Sequence, residues 1–121
     1  MTKIQNAKQY DLEERTFQFA KRVALFCKKI PRTINNIEYS KQLIRSSGSV
    51  GANYIEANEA FSKKDFKMRI KICRKEAKES AYWLRLIIET NNKEFKLEGK
   101  ELHNEAIELK KIFSSIIESS K

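Results

Sequence analysis

The segment Ser46-Ser47-Gly48-Ser49-Val50-Gly51-Ala52-Asn53 is the first place where chemistry suggests itself, since closely spaced glycines and hydroxyls can cradle a phosphate. Its spacing fails that role. A phosphate loop needs Lys and then Ser or Thr after its last glycine, and here Ala52 and Asn53 follow. A dinucleotide fingerprint needs other glycine spacings and a preceding strand. Leu43, Val50, Tyr54 and Phe61 recur through the segment on one helical face, so it is expected to be helical. Each glycine then costs about 1 kcal/mol relative to Ala, and close approach of a neighbouring helix is the expected compensation.

Other catalytic constellations fail on residue types. A di-metal carboxylate bundle requires Glu-x-x-His pairs, whereas Lys100 stands three residues before His103, the single histidine. One histidine also leaves no ready Ser-His or Cys-His pair for nucleophilic attack. The Arg-then-His spacing of helical toxin-like ribonucleases is missing too, because residues 97–102 contain no Arg. Cys27 and Cys73 lie in apolar helical stretches and read as buried free thiols. Arg45, Asn53, Glu56 and Glu79 fall on facing flanks of two helices. With no nucleophile or metal ligand beside the carboxylates, a structural network is expected, in which Arg45 and Asn53 satisfy Glu56 or Glu79. No catalytic residue, metal site or cofactor is nominated.

Binding chemistry is stronger. With about 100° per residue, Lys64, Lys67, Lys71, Arg74, Lys75, Lys78 and Arg85 share a sector roughly 100° wide on one helix. No acid enters that sector between Lys64 and Arg85, and Tyr82 is its one aromatic. Like charges so arranged repel one another unless an anion is near, which makes the stripe a candidate phosphate-binding ridge. The same helix carries an apolar arc widened to roughly 200° by Met68, Ile72, Trp83, Leu86 and Ile87, more than one core requires. The excess predicts self-association through Met68, Ile72, Trp83 and Leu86.

The elements that must position these residues are four amphipathic helices. The first opens at Asp11, carries Leu12, Phe19, Val23, Phe26 and Ile30 on one stripe, and ends at Pro31. The second is expected from Asn35 to Phe61. The third follows the capping pair Ser62 and Asp65, runs along Phe66, Ile70, Cys73, Ala77, Ala81, Leu84 and Ile88, and closes at Asn91-Asn92. After a linker, Lys93 to Glu98, and Gly99, the fourth carries Leu102, Ala106, Leu109, Phe113 and Ile116. The expected fold is all-α, an antiparallel up-down four-helix bundle in one domain over residues 1–121, with an ordered core of about 10–117.

The chain has 121 residues, 40% apolar and 34% charged, with three Gly and one Pro, a balance suited to helices rather than β-turns. Twenty-five Lys and Arg against sixteen Asp and Glu give a net charge of +9, which favours polyanions. The first residues lack a signal-peptide apolar region, and no run reaches membrane-spanning length, so a cytoplasmic protein without a membrane partner is expected.

Gln42-Leu43-Ile44-Arg45-Ser46-Ser47-Gly48-Ser49-Val50-Gly51-Ala52-Asn53 with Glu56-Ala57, and Lys75-Glu76 with Glu79 through Tyr82-Trp83-Leu84, resemble two signatures of one family. It comprises the four-helix-bundle proteins encoded in intervening sequences of bacterial 23S rRNA genes. Arg15-Thr16-Phe17 and Phe19-Ala20 are similar as well, so the likeness spans about residues 10–117. The resemblance implies a bacterial protein and a ring-shaped homopentamer, but no settled function. The accessory variability determinant of diversity-generating retroelements is similar in fold and binds nucleic acid and a reverse transcriptase through a basic surface. Two functions stay open: a non-enzymatic oligomer that binds RNA or DNA, structured RNA first, and a homo-oligomeric scaffold for a protein partner.

Overall fold

The computed structural model describes residues 3–121, with side chains from Leu12 onward. Its elements are α1 (Lys3–Lys29), α2 (Ile34–Asn58), α3 (Lys63–Thr90), a 3-10 turn (Lys93–Phe95) and α4 (Lys96–Ser119). The cap expected of the Asp11 side chain lies outside the described side chains, and the helical backbone continues back to Lys3.

The apolar stripes become the core. Leu12, Phe19, Val23, Phe26 and Ile30 of α1 are buried with Leu43, Val50, Tyr54 and Ala57 of α2. Ile70, Cys73, Ala77, Ala81, Leu84 and Ile88 of α3 meet Leu102, Ala106, Leu109 and Phe113 of α4. Ile117, rather than Ile116, is buried in the last turn. Burial pushes the Cys73 thiol up to about 12, and its Sγ lies 3.4 Å from the Val50 carbonyl; both cysteines are free.

Contacts between neighbouring helices run in opposite sequence directions. From α2 to α3 they pass through Asn36–Asn91, Arg45–Glu79, Val50–Cys73 and Asn53–Arg69. From α1 to α4 they pass through Arg15–Glu105, Arg22–Glu101 and Lys29–Glu98. From α1 to α2 they pass through Thr16–Gly51 and Cys27–Ser40, again in opposite directions, so the helices alternate up and down in a four-helix bundle.

Several boundaries differ from the expected ones. Thr33, not Asn35, caps α2, its side chain accepting from the Asn36 N–H at 3.1 Å. Asn36 is thereby freed to form a reciprocal amide pair with Asn91, 2.8 Å in each direction, which joins the first turn of α2 to the end of α3. Helix α2 stops at Asn58, leaving Phe61 fully exposed in the connection rather than on the core stripe. Ser62 caps α3 as expected, accepting from Asp65 N–H at 3.1 Å. Gly99 lies inside α4, which begins at Lys96, instead of preceding it.

The glycines divide by surroundings. A Cβ on Gly51 would stand 3.0 Å from Thr16 Oγ1, and one on Gly99 2.7 Å from Ile88 Cγ1, so both permit close helix contact. Gly48 has nothing within 4 Å of that position; the close packing expected there is absent within the chain. Gly48→Ala should therefore raise stability by about 1 kcal/mol through helix propensity alone. Gly99→Ala should lower it, because overpacking of typically 1–3 kcal/mol exceeds the same gain. Urea denaturation of both variants checks the opposite signs.

Candidate nucleic-acid interface

Helix α3 owes its orientation to small residues facing α2. Ser46 and Ser80 are buried with their hydroxyls 2.9 Å apart, and Ser80 Oγ donates to the Glu76 carbonyl at 2.9 Å. With this edge against α2 and Ile70, Ala77 and Ala81 in the core, the cationic sector must turn outward. Lys64, Lys71, Lys75, Lys78 and Arg85 are exposed, and Lys67 and Arg74 are half-buried. Among the described residues none of the seven forms an ion pair.

The ridge continues toward α4. His103 senses Arg85: burial first, and then the guanidinium charge, hold the imidazole below its ordinary pKa. Glu98, Glu101 and Glu105 of α4 are committed elsewhere, to Lys29, Arg22 and Arg15 of α1. The Arg15–Glu105 pair is bidentate, with both contacts at 2.8 Å. About 100° per residue puts Lys100, Lys110 and Lys111 on the opposite flank of α4 from those acids, the flank of His103. These lysines are likewise in no ion pair among the described residues. A broad cationic face results, and the sequence reading, confined to one helix, missed its α4 half.

The expected polar network is realised in part. Arg45 bonds Glu79 and lies 3.9 Å from Glu76, a buried carboxylate whose Oε1 has no hydrogen bond. Trp83 Nε1 donates to Glu79 at 3.3 Å. Asn53 is not a member: it accepts from Arg69 at 3.0 Å and donates to the Ser49 carbonyl. Glu56 is exposed and forms no ion pair among the described residues, so it too lies outside the network. Both sit more than two helical turns beyond Arg45, a separation that shared azimuth on the helix conceals.

Of the apolar flank of α3, Met68 is 54% exposed, while Ile72, Trp83 and Leu86 are half-buried. Trp83 packs on Tyr39 and edge-on against Tyr82, with centroids 6.0 and 5.1 Å away. Ile87 is fully buried, which narrows the surface arc that the sequence suggests. No group of three His, Cys, Asp or Glu among the described residues could hold a metal. No helix among them is long and apolar enough to cross a membrane.

The depressed pKa of His103 has a sign. Above the ordinary value of 6.5 the imidazole is neutral in both folded and unfolded chains, and stability is full. As pH falls from there through the lower folded value, the unfolded chain takes the proton first and stability is lost. Chemical denaturation at about pH 7.5 and about pH 5.5 should show a larger loss for the wild type than for His103→Gln.

With the geometry established, the chain can be compared with known proteins. The family model described as 23S rRNA-intervening sequence protein matches residues 8–115. A crystal structure of a protein of unknown function from the S23 ribosomal protein family of Bacteroides thetaiotaomicron is similar, with 33% identity and a TM-score of 0.74. The match covers 87% of this chain and 96% of that one. None of the curated proteins matches. Neither description names a reaction.

Proposed function

The chain belongs to the 23S rRNA-intervening sequence protein family, and from that premise we propose that it is a non-enzymatic, self-associating bundle that binds structured RNA through the α3–α4 cationic face. The observation that carries this reading is the row of seven cations, Lys64, Lys67, Lys71, Arg74, Lys75, Lys78 and Arg85, none held by a carboxylate among the described residues. Releasing counterions from a phosphate backbone would relieve their mutual repulsion. Recognition is of backbone rather than sequence, since Lys and Arg contacts to phosphates carry no base information. Tyr82, exposed within the sector, is its only aromatic, too few for the successive stacking platforms that hold single strands. The alternative, a scaffold for a protein partner, draws on the exposed Met68 and the Tyr82–Trp83 cluster.

Self-association belongs to the proposal, with Met68, Ile72, Trp83 and Leu86 at the contact and the homopentamer implied by the family resemblance as its form. The protein works in the bacterial cytoplasm, where its RNA is made.

Binding to a ribosomal RNA fragment should weaken steeply between about 50 and about 200 mM salt. Each lost phosphate contact should reduce the slope of log K against log salt by about one. Lys67→Glu with Lys71→Glu should remove retention on that fragment in a filter-binding assay at low salt. Unchanged retention in the double variant would take the ridge out of consideration, and salt-independent retention would favour the scaffold.

A further inference from the structure

Two apolar surfaces at opposite ends of α2 carry opposite charge. Where α1 passes into α2, an open groove of about 360 Å³ is lined by Ala24, Ile37 and Ile44 and bordered by Lys28, Arg32 and Lys41. Ile44 is 48% exposed on it. Lys28 and Arg32 form no ion pair among the described residues, and Lys41 is held only by Glu38 at 3.8 Å. Where α2 passes into α3, the fully exposed Phe61 and the exposed Met68 border one shallow depression with Glu56, Glu59 and Asp65, and with Arg69, whose guanidinium donates to Asn53; three acids thus face one base there. Among the described residues none of these three acids is in an ion pair. In a chain of net charge +9, three carboxylates thus gather around one aromatic knob.

We propose that the acid-ringed Phe61–Met68 knob of one copy seats in the base-ringed Ile37–Ile44 groove of the next. The occupant is a second copy because this chain itself supplies both halves: an aromatic anchor with three acids, and an apolar groove with three bases. Complementary charge steers and registers such a contact, while the buried aromatic supplies most of its strength. The two halves are different surfaces at different ends of the molecule, so the contact is heterologous. It closes into a ring if the rotation between copies permits, and otherwise continues as a filament. It also gives Phe61 a reason for being apolar, since nothing among the described residues covers it.

This inference deepens the self-association proposed above by supplying the surface that the Met68 side of α3 meets. It is tested with the full chain by sedimentation at low salt. Phe61→Ala removes the knob and Ile44→Glu places an acid in the groove; both positions are exposed, and circular dichroism should show both variants folded. Each alone should weaken assembly about thirtyfold or more, as loss of a hot-spot anchor does. Mixed, the two should form a one-to-one complex that grows no further. The intact knob of the Ile44→Glu chain still fits the intact groove of the Phe61→Ala chain, and the remaining pair of surfaces is defective on both sides.

Wild-type assembly in either single variant would overturn the proposal, as would a mixture that stays monomeric. If Leu86→Asp dissociates the protein while Phe61→Ala and Ile44→Glu do not, the α3 contact stands and this inference fails. A wild type that is monomeric throughout sinks both. The charge reversals on the cationic ridge remain a separate test of RNA binding, because neither Phe61 nor Ile44 lies on that ridge.

Discussion

The close seam between α2 and α3 is the constraint on which the rest of the structure depends. Ser46 and Ser80 meet hydroxyl to hydroxyl at 2.9 Å, and Cys73 reaches the Val50 carbonyl at 3.4 Å. Side chains this small let two helix axes approach at the short end of the usual 8–10 Å range. Larger residues would rotate α3 about its axis, and rotation matters because one side of that helix carries seven cations. The seam is further held at both ends by polar contacts between side chains distant in sequence, Asn36 with Asn91 and Asn53 with Arg69. Arg45 closes its outer edge on Glu79 and Glu76.

Fixing α3 in this way sorts charge over the whole molecule. Helix α4 presents Glu98, Glu101 and Glu105 to the cations of α1, and this leaves its lysines on the side of α3. These exposed pairs add little stability individually, about 0–1 kcal/mol each. Their larger effect is on distribution: every acid that α4 commits to α1 is one that cannot neutralise the α3 face. The acids of the α2–α3 connection lie at one end of the bundle, and Glu89 enters the cationic sector only past Arg85, near the other end of α3. A net charge of +9 is thus concentrated on one side rather than spread evenly.

Much of the fold was legible in the sequence. The 3.6-residue period assigned the core face of every helix, because burying one apolar stripe per helix dominates the energetics of a bundle. The cationic sector of α3 was legible for the same reason. Features that depend on a neighbour's position along its axis were not. Asn53 and Glu56 share a flank with Arg45, yet Arg45 reaches across to Glu79 while Asn53, eight residues on, meets Arg69. Phe61 fits the α2 stripe in period, but the chain leaves the helix at Asn58 before reaching it. Gly48 and Gly51 look equivalent in sequence, and only the placement of Thr16 distinguishes them. The α4 half of the cationic face needed the pairing of three α4 acids with α1, a tertiary fact.

The same packing limits where function can reside. The core is filled by Phe19, Phe26, Phe113 and aliphatic side chains, all fully buried. The polar groups inside it are mostly occupied with local partners: Thr16 donates to the Leu12 carbonyl, and Ser80 to that of Glu76. A catalytic site in a bundle core needs convergent polar groups with room for a substrate between them. Here the hydroxyls serve helix contact, and Glu76, the one buried carboxylate among the described residues, lies beside Arg45. The surfaces on which the proposals rest lie outside this core: a long cationic face on α3 and α4, and two smaller apolar surfaces of opposite charge at the ends of α2.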